Sequence, residues 1–294
     1  MGHHNRHFAG DRYALLGAWS PPTSTAKYVY DPTSGCITIL KAHDTLSFCE
    51  EDYVVTRYVA EFMNSMTNLP YVYFALKYMY GPGSRGLFRP RTDFMSLSLL
   101  VLGICSFLFH ASLRHTLQYA DELGMLGLAW ALLQGILTVH GRSSSNDRLV
   151  NTVLNFVFPL FAAFYVWTGK IIYHATAFFI MMVLIVIRVA HLYYWRKPAL
   201  PKDKLRRWKT RGRISLALLV LAYILWNIDL EFCAELRELR ERMGLPWAWL
   251  LELHGWWHIM TAMSASRFMA TVRELQDVFA EEENAKVENV KEKR

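Results

Sequence analysis

The chain has 294 residues, of which 53% are hydrophobic and only 19% charged. A soluble domain carries roughly a quarter charged residues, so this composition argues for a bilayer as solvent. The formal net charge of +7 lies mostly in short connections between apolar runs, which argues against nucleic-acid binding and for a topology signal.

The first 56 residues read as an N-terminal segment without an apolar leader of the signal-peptide kind, so the first apolar helix is expected to act as the targeting signal. Seven apolar stretches follow, each near the roughly 20 residues that cross a bilayer. They fall at about 57–80, 93–112, 121–140, 149–168, 172–194, 213–230 and 248–270. The third and sixth are apolar all round, as lipid-facing helices are. Residues 273–294 form a polar tail rich in Glu and Lys, expected as a solvated helix or a disordered segment. The fold class is therefore an all-α seven-transmembrane bundle over 57–272.

Fifteen basic residues lie in the connections after the first, third and fifth helices, against five after the second, fourth and sixth. The excess marks the cytosolic side. The N-terminus is then lumenal and the C-terminus cytosolic. Cys49 and Cys233 both fall on the lumenal, oxidising side. A bridge between them is expected, worth about 2–4 kcal/mol, with Cys36 able to compete for either partner. Cys105 reads as a buried thiol.

Four ionisable residues stand inside or at the rim of the apolar stretches: His110, Asp121, His254 and His258. A charged group at mid-membrane costs roughly 2.5–3.5 kcal/mol or more, so such residues mark function. Ser106 and His110 are i and i+4 on one helix face, as are His254 and His258. The predicted topology brings all of them to the lumenal ends of their helices. Three neutral imidazoles with one open position suit a catalytic zinc, which lowers the pKa of its water and polarises a carbonyl. Asp121 would serve as base and then acid, and Ser106 as a donor to a developing oxyanion. Phe107, Met125, Trp256, Trp257 and Met260 would suit the lining of a lipid site. The other histidines, His115, His140, His174 and His191, read as structural or interfacial. The pattern is that of a membrane hydrolase; a receptor that keeps zinc for structure is the rival reading.

In this order and spacing the residues resemble the alkaline ceramidase family, within a larger group of seven-helix membrane hydrolases that includes the adiponectin-receptor-like proteins. The resemblance rests on Ser106-x₃-His110, Asp121-Glu122 eleven residues on, and His254-x₃-His258. Residues 17–25, the stretch from Cys49 to Asn64, and Trp226-Asn227-Ile228-Asp229 followed by Cys233 extend it. It implies hydrolysis of the amide of ceramide, dihydroceramide or phytoceramide at a membrane of the endoplasmic reticulum or Golgi, with no obligate protein partner. It implies zinc on His110, His254 and His258, Asp121 and Ser106 in the roles above, and the Cys49–Cys233 bridge. It also implies calcium on Ser47, Phe48 through its carbonyl, Glu50, Asp52 and Glu61. The four carboxylates Glu50, Glu51, Asp52 and Glu61 give independent support, since a hard cation takes oxygen ligands. Where the family has Asp, this chain has Ser47, which removes one charge. Residues 26–47 have no counterpart in the family pattern and read either as a lumenal loop or as translated intron.

Overall fold

In a computed structural model, residues 27–30, 37–40, 49–84, 86, 88–139, 145–196 and 200–292 are described. Apart from one small hairpin, pairing β1 (Lys27–Tyr30) with β2 (Ile37–Leu40) antiparallel, the regular structure is helical. The hairpin falls within residues 26–47, where the sequence shows no assignable period. Cys36, Ser47, Phe48 and His140 lie outside the described residues.

Each predicted apolar stretch coincides with helix: α1 (Phe62–Met66) and α2 (Leu69–Met79), α3 (Phe94–Ser112), α4 (His115–Leu137), α5 (Ser145–Thr168), α6 (Ile171–Tyr194), α7 (Lys202–Glu231) and α9 (Leu253–Glu292). The short α8 (Cys233–Met243) precedes α9. Among the described residues five helices are long and apolar enough to cross a membrane: α3, α4, α5 from Arg148, α6 and α7. The flanks of α5 and α6 expose large apolar side chains such as Phe156, Leu160, Phe179 and Ile187. In water such a surface would drive association; here it is the face a hydrocarbon solvent requires, and the chain is an integral membrane protein.

The boundaries depart from the sequence reading in four places. The first apolar stretch is two helices. The Thr67 hydroxyl donates to the carbonyls of Met63 and Asn64, Asn68 Nδ2 donates to the Asn64 carbonyl at 2.8 Å, and Pro70 follows in the first turn of α2. These side chains take the carbonyls a continuing backbone would use, and proline suits the first turn of a new helix. Helix α4 begins at His115, so Asp121 lies almost two turns inside it rather than at its start. Helix α7 begins at Lys202, because Leu205 and Trp208 pack inward and turn the basic connection into an amphipathic helix. Helix α9 runs on through the predicted tail as far as Glu292, with Leu275, Val278 and Phe279 buried on one stripe.

Helix α3, central to the site, is fixed at both ends. Asp93 caps it, accepting from the Ser96 backbone at 2.7 Å, while Ser96 Oγ accepts from the Asp93 N–H. Such a reciprocal pair satisfies donors the helix leaves open. Arg273 of α9 grips the same carboxylate with two bonds, 2.7 and 3.0 Å, and lies over the Tyr78 ring of α2. One side chain thereby ties α2, α3 and α9 together at the end away from the histidines. At the other end α3 stops at Leu113, in the left-handed region (φ 51°). Its last carbonyls, on His110 and Ala111, accept from the N–H groups of Glu61 and Ala60 at 3.1 and 3.0 Å.

Cys49 and Cys233 form a disulfide, with Cα atoms 5.1 Å apart, and Cys105 is a half-buried free thiol. Arg237 and Arg240 of α8 both donate to the Cys49 carbonyl, at 3.0 and 2.6 Å, and Arg240 pairs with Glu252. The chain entering α1 is thus stapled to the segment leading into α9. Cys233→Ser is expected to cost about 2–4 kcal/mol; an unchanged thermal midpoint in detergent would show that the arginine contacts suffice alone.

Candidate metal centre

Three buried histidines meet at one end of the bundle. His110 comes from the last turn of α3, and His254 and His258 from the first turns of α9. Their ring centroids are 4.6–5.1 Å apart, and one nitrogen from each lies within 4.8 Å of those of the others. The i, i+4 spacing puts the α9 pair on one face. Packing of α9 against α1 and α2, and of α1 against α3, delivers His110 to that face.

Two of the rings are held from behind. Glu61 Oε2 lies 2.6 Å from Nδ1 of His110, with Glu61 wholly buried. The Thr67 hydroxyl lies 3.1 Å from Nδ1 of His258. These bonds leave Nε2 of each ring as the atom that would ligate a metal. Metal-binding histidines carry such partners on their other nitrogen, often a carboxylate, which fixes the ring and raises its basicity. The donor set therefore fits a zinc-like ion. Gly255 makes the close approach possible: a Cβ there would stand 3.1 Å from Cγ2 and 3.3 Å from Oγ1 of Thr67. Gly255→Ala is expected to displace Thr67, cost about 1–3 kcal/mol and weaken metal binding. A variant with wild-type thermal midpoint and metal content would refute this.

Asp121 of α4 and Ser106 of α3, one turn before His110, are both buried, and the Ser106 hydroxyl hydrogen-bonds the Asp121 carboxylate. The sequence-predicted pair is thus brought together. Asp229, at the end of α7, sits against the N–H groups of Leu253 and His254 and accepts from the Cys49 N–H at 3.3 Å. It caps the helix that carries two of the histidines.

The predicted oxygen cluster is partly described. Glu50 is buried and its two oxygens accept from the N–H groups of Met63 and Asn64, at 2.6 and 2.7 Å, capping α1. Burial pushes its carboxyl up to about 8 against the pull of those two N–H groups. Asp52 is exposed. Glu61 Oε1 and Asn64 Oδ1 are buried with no hydrogen-bond partner among the described residues. Hard oxygens left without donors suit a hard cation, but both Glu50 oxygens are taken by backbone N–H groups, and the group of metal-ligand atoms that the described residues bring together is the three histidines, without these carboxylates.

Sequence reasoning assigned Glu61 to calcium alone and did not single out Thr67 or Tyr71. The signal for the first two was present: Glu61, Asn64, Ser65, Thr67 and Asn68 crowd polar groups into an otherwise apolar stretch. Tyr71 carried none. Its buried ring packs edge-on to His258, 6.4 Å away, and its hydroxyl bonds Thr261.

A cavity of about 630 Å³ leads away from this end between α4, α6, α7 and α9. Tyr71, Trp257 and Thr261 line its near end and the first turns of α7 its far end. Met125 and Trp257 line it as expected; Phe107, Trp256 and Met260 do not, and the Trp256 indole instead donates to the Leu250 carbonyl at 3.0 Å. His174, read as structural, meets the Glu122 carbonyl at 3.0 Å.

Fold and site define a polytopic membrane protein with a buried tris-histidine group and an apolar cavity whose near end is lined by its neighbours Tyr71, Trp257 and Thr261. The sequence model of the ceramidase family matches residues 41–292, and the chain belongs to that family. It is 31% identical over 229 residues to alkaline ceramidase 3 of Mus musculus, covering 75% of this chain and 79% of the relative. It is 27% identical over 280 residues to the alkaline ceramidase YPC1 of Saccharomyces cerevisiae, covering 88% and 82%. An alkaline ceramidase of Arabidopsis thaliana is 24% identical over 223 residues, covering 75% and 79%.

Proposed function

We propose that this protein hydrolyses the amide bond of ceramide, dihydroceramide or phytoceramide to a sphingoid base and a fatty acid. The observation that carries the reading is the group His110, His254 and His258, with Ser106 one helical turn before His110 and hydrogen-bonded to Asp121, near an apolar cavity of about 630 Å³ lined at its near end by Tyr71, Trp257 and Thr261. Zinc held by the three histidines would supply Lewis acidity and a water of lowered pKa. Asp121 takes the proton from the attacking water as its oxygen bonds to the carbonyl carbon. It returns that proton to the nitrogen as the C–N bond breaks, so that the amine leaves neutral and the acid remains as product. Ser106 donates toward the oxygen on which negative charge gathers. Glu61 and Thr67 hold two of the imidazoles in place. The alkyl chains lie in the cavity, among Met125, Trp257 and their neighbours.

In the same reading the seven helical segments all cross the membrane, with residues 1–56 lumenal, 57–272 the catalytic bundle and 273–294 cytosolic. The membrane is that of the endoplasmic reticulum or Golgi, and no obligate protein partner is required. Calcium held by Glu50, Asp52 and Glu61, with Ser47 and the Phe48 carbonyl, would lock the entry to α1 and so support Glu61 against His110.

Purified protein given a fluorescent ceramide should release labelled fatty acid, and a zinc chelator should abolish the release. Calcium-selective chelation should lower rate or thermal stability while zinc content stays constant. No turnover by a zinc-loaded, folded preparation would remove the proposed activity. No response of rate or stability to calcium removal would reduce the acidic segment to a helix cap.

A further inference from the structure

The far end of the cavity is not apolar. Lys202, Arg206, Lys209 and Arg213 of α7 all line it. Their spacing of four, three and four residues keeps them on one helix face. Two neighbouring cations, Arg207 and Arg211, point the other way and are neutralised by Glu274 of α9, at 3.1 and 2.6 Å; the Trp208 indole bonds the same carboxylate at 2.7 Å. Burial would raise Glu274, but these donors hold it below its ordinary value. Arg196, nearby, is taken by Glu282.

The cavity-lining four have no such counter-charge. Among the described residues none of them forms an ion pair. Lys209 sits 4.0 Å over the Tyr194 ring, and Arg213 reaches only the Thr210 hydroxyl, at 3.5 Å. Like charges three and four apart on a helix repel. A topology signal needs basic residues in the connection, but it does not need four of them facing one apolar cleft. An unneutralised cationic row at the mouth of a hydrocarbon-lined cavity matches an amphiphile with an anionic head. That mouth lies at the end which the excess of basic residues assigns to the cytosol, where anionic lipids are held.

We propose that this end of the cavity is a binding site for an anionic phospholipid, its phosphate on Lys202, Arg206, Lys209 and Arg213 and one acyl chain in the cleft between α6 and α7. Four cations exceed what one fatty-acid carboxylate can engage, whereas a phosphate monoester offers three strong acceptor oxygens. Occupied in this way, the cleft excludes a second chain, so the lipid would compete with substrate; that consequence alone rests on the proposed function.

The test uses the full chain in detergent micelles, with dioleoyl phosphatidic acid titrated in and bound lipid counted by native mass spectrometry. Dioleoyl phosphatidylcholine is the neutral comparator. One phosphatidic acid should bind at least tenfold more tightly than phosphatidylcholine. The triple variant K202Q/R206Q/R213Q should lose at least tenfold, whereas K77Q/R89Q/R148Q, of equal charge but away from the cleft, should stay within twofold. Val186→Trp, which fills the cleft from α6 at an exposed position, should also lose at least tenfold. Should the triple variant fail to fold, the single Arg206→Gln, on an exposed side chain, should weaken binding about threefold with an unchanged thermal midpoint. Equal losses in both triples would reveal general surface attraction and overturn the site, as would equal binding of phosphatidylcholine. Displacement by inorganic phosphate at the same concentration as phosphatidic acid would make it a site for free phosphate. The assay contains no ceramide, so its failure and a failure of turnover are separate results.

Discussion

Asp121→Asn should lower turnover about 10²–10⁴-fold, the range a positioned acid–base group is worth, while zinc content stays at the wild-type level. The carboxamide has the same shape and can still accept from Ser106, so the helix contacts of α3 and α4 survive. What it lacks is an oxygen that can take a proton from water and return it to nitrogen. The loss should fall on kcat more than on KM, because Asp121 is required for proton transfer rather than for holding the chains. Fluorescent-ceramide kinetics on protein of measured zinc content decide the matter. Turnover within a few-fold of wild type would show that another group moves the proton.

His258→Ala should act in the opposite way, through the metal. Removing one of three imidazoles should weaken zinc binding by more than the roughly 10–100-fold that partners behind a ligand are worth. Thr67→Val, which removes only the hydroxyl behind His258, should stay inside that range. His258→Ala also leaves Thr67 and the other two rings buried around a void, so the thermal midpoint should fall as well. Elemental analysis and a melt in detergent separate the two variants from Asp121→Asn. Equal zinc loss in His258→Ala and Asp121→Asn would contradict the division between ligand and proton carrier.

The parts of this arrangement legible in the sequence are those with a period or a charge anomaly. His254 and His258 four apart and Ser106 and His110 four apart could be placed on helix faces before any coordinates, and Asp121 stands out in an apolar run, although it lies almost two turns inside its helix rather than at the start. The Cys49–Cys233 bridge followed from compartment alone, and the structure forms it. What was not legible depends on contacts between distant segments. Nothing local says that Glu61 will meet His110, because that contact needs two bonds from the chain before α1 to the end of α3. A helix is one of two expectations for the tail, but its buried stripe escapes notice because Leu275, Val278 and Phe279 are spread thinly through a charged run and become core only where other helices cover them. The basic start of α7 reads as a loop until Trp208 and Leu205 are seen to pack inward.

The histidine group joins His110 to residues far along the chain, and Cys49 is held by Cys233 across a sequence separation of 184. Synthesis delivers these partners in sequence, so the polar cluster of α1 and His110 is made long before α9 exists to receive it. A ribosome stalled short of residue 254 has made at most six of the apolar segments and one of the three histidines. Interrupted copies therefore lack the complete histidine group, and Glu61 and His110 stand in them without the two imidazoles of α9.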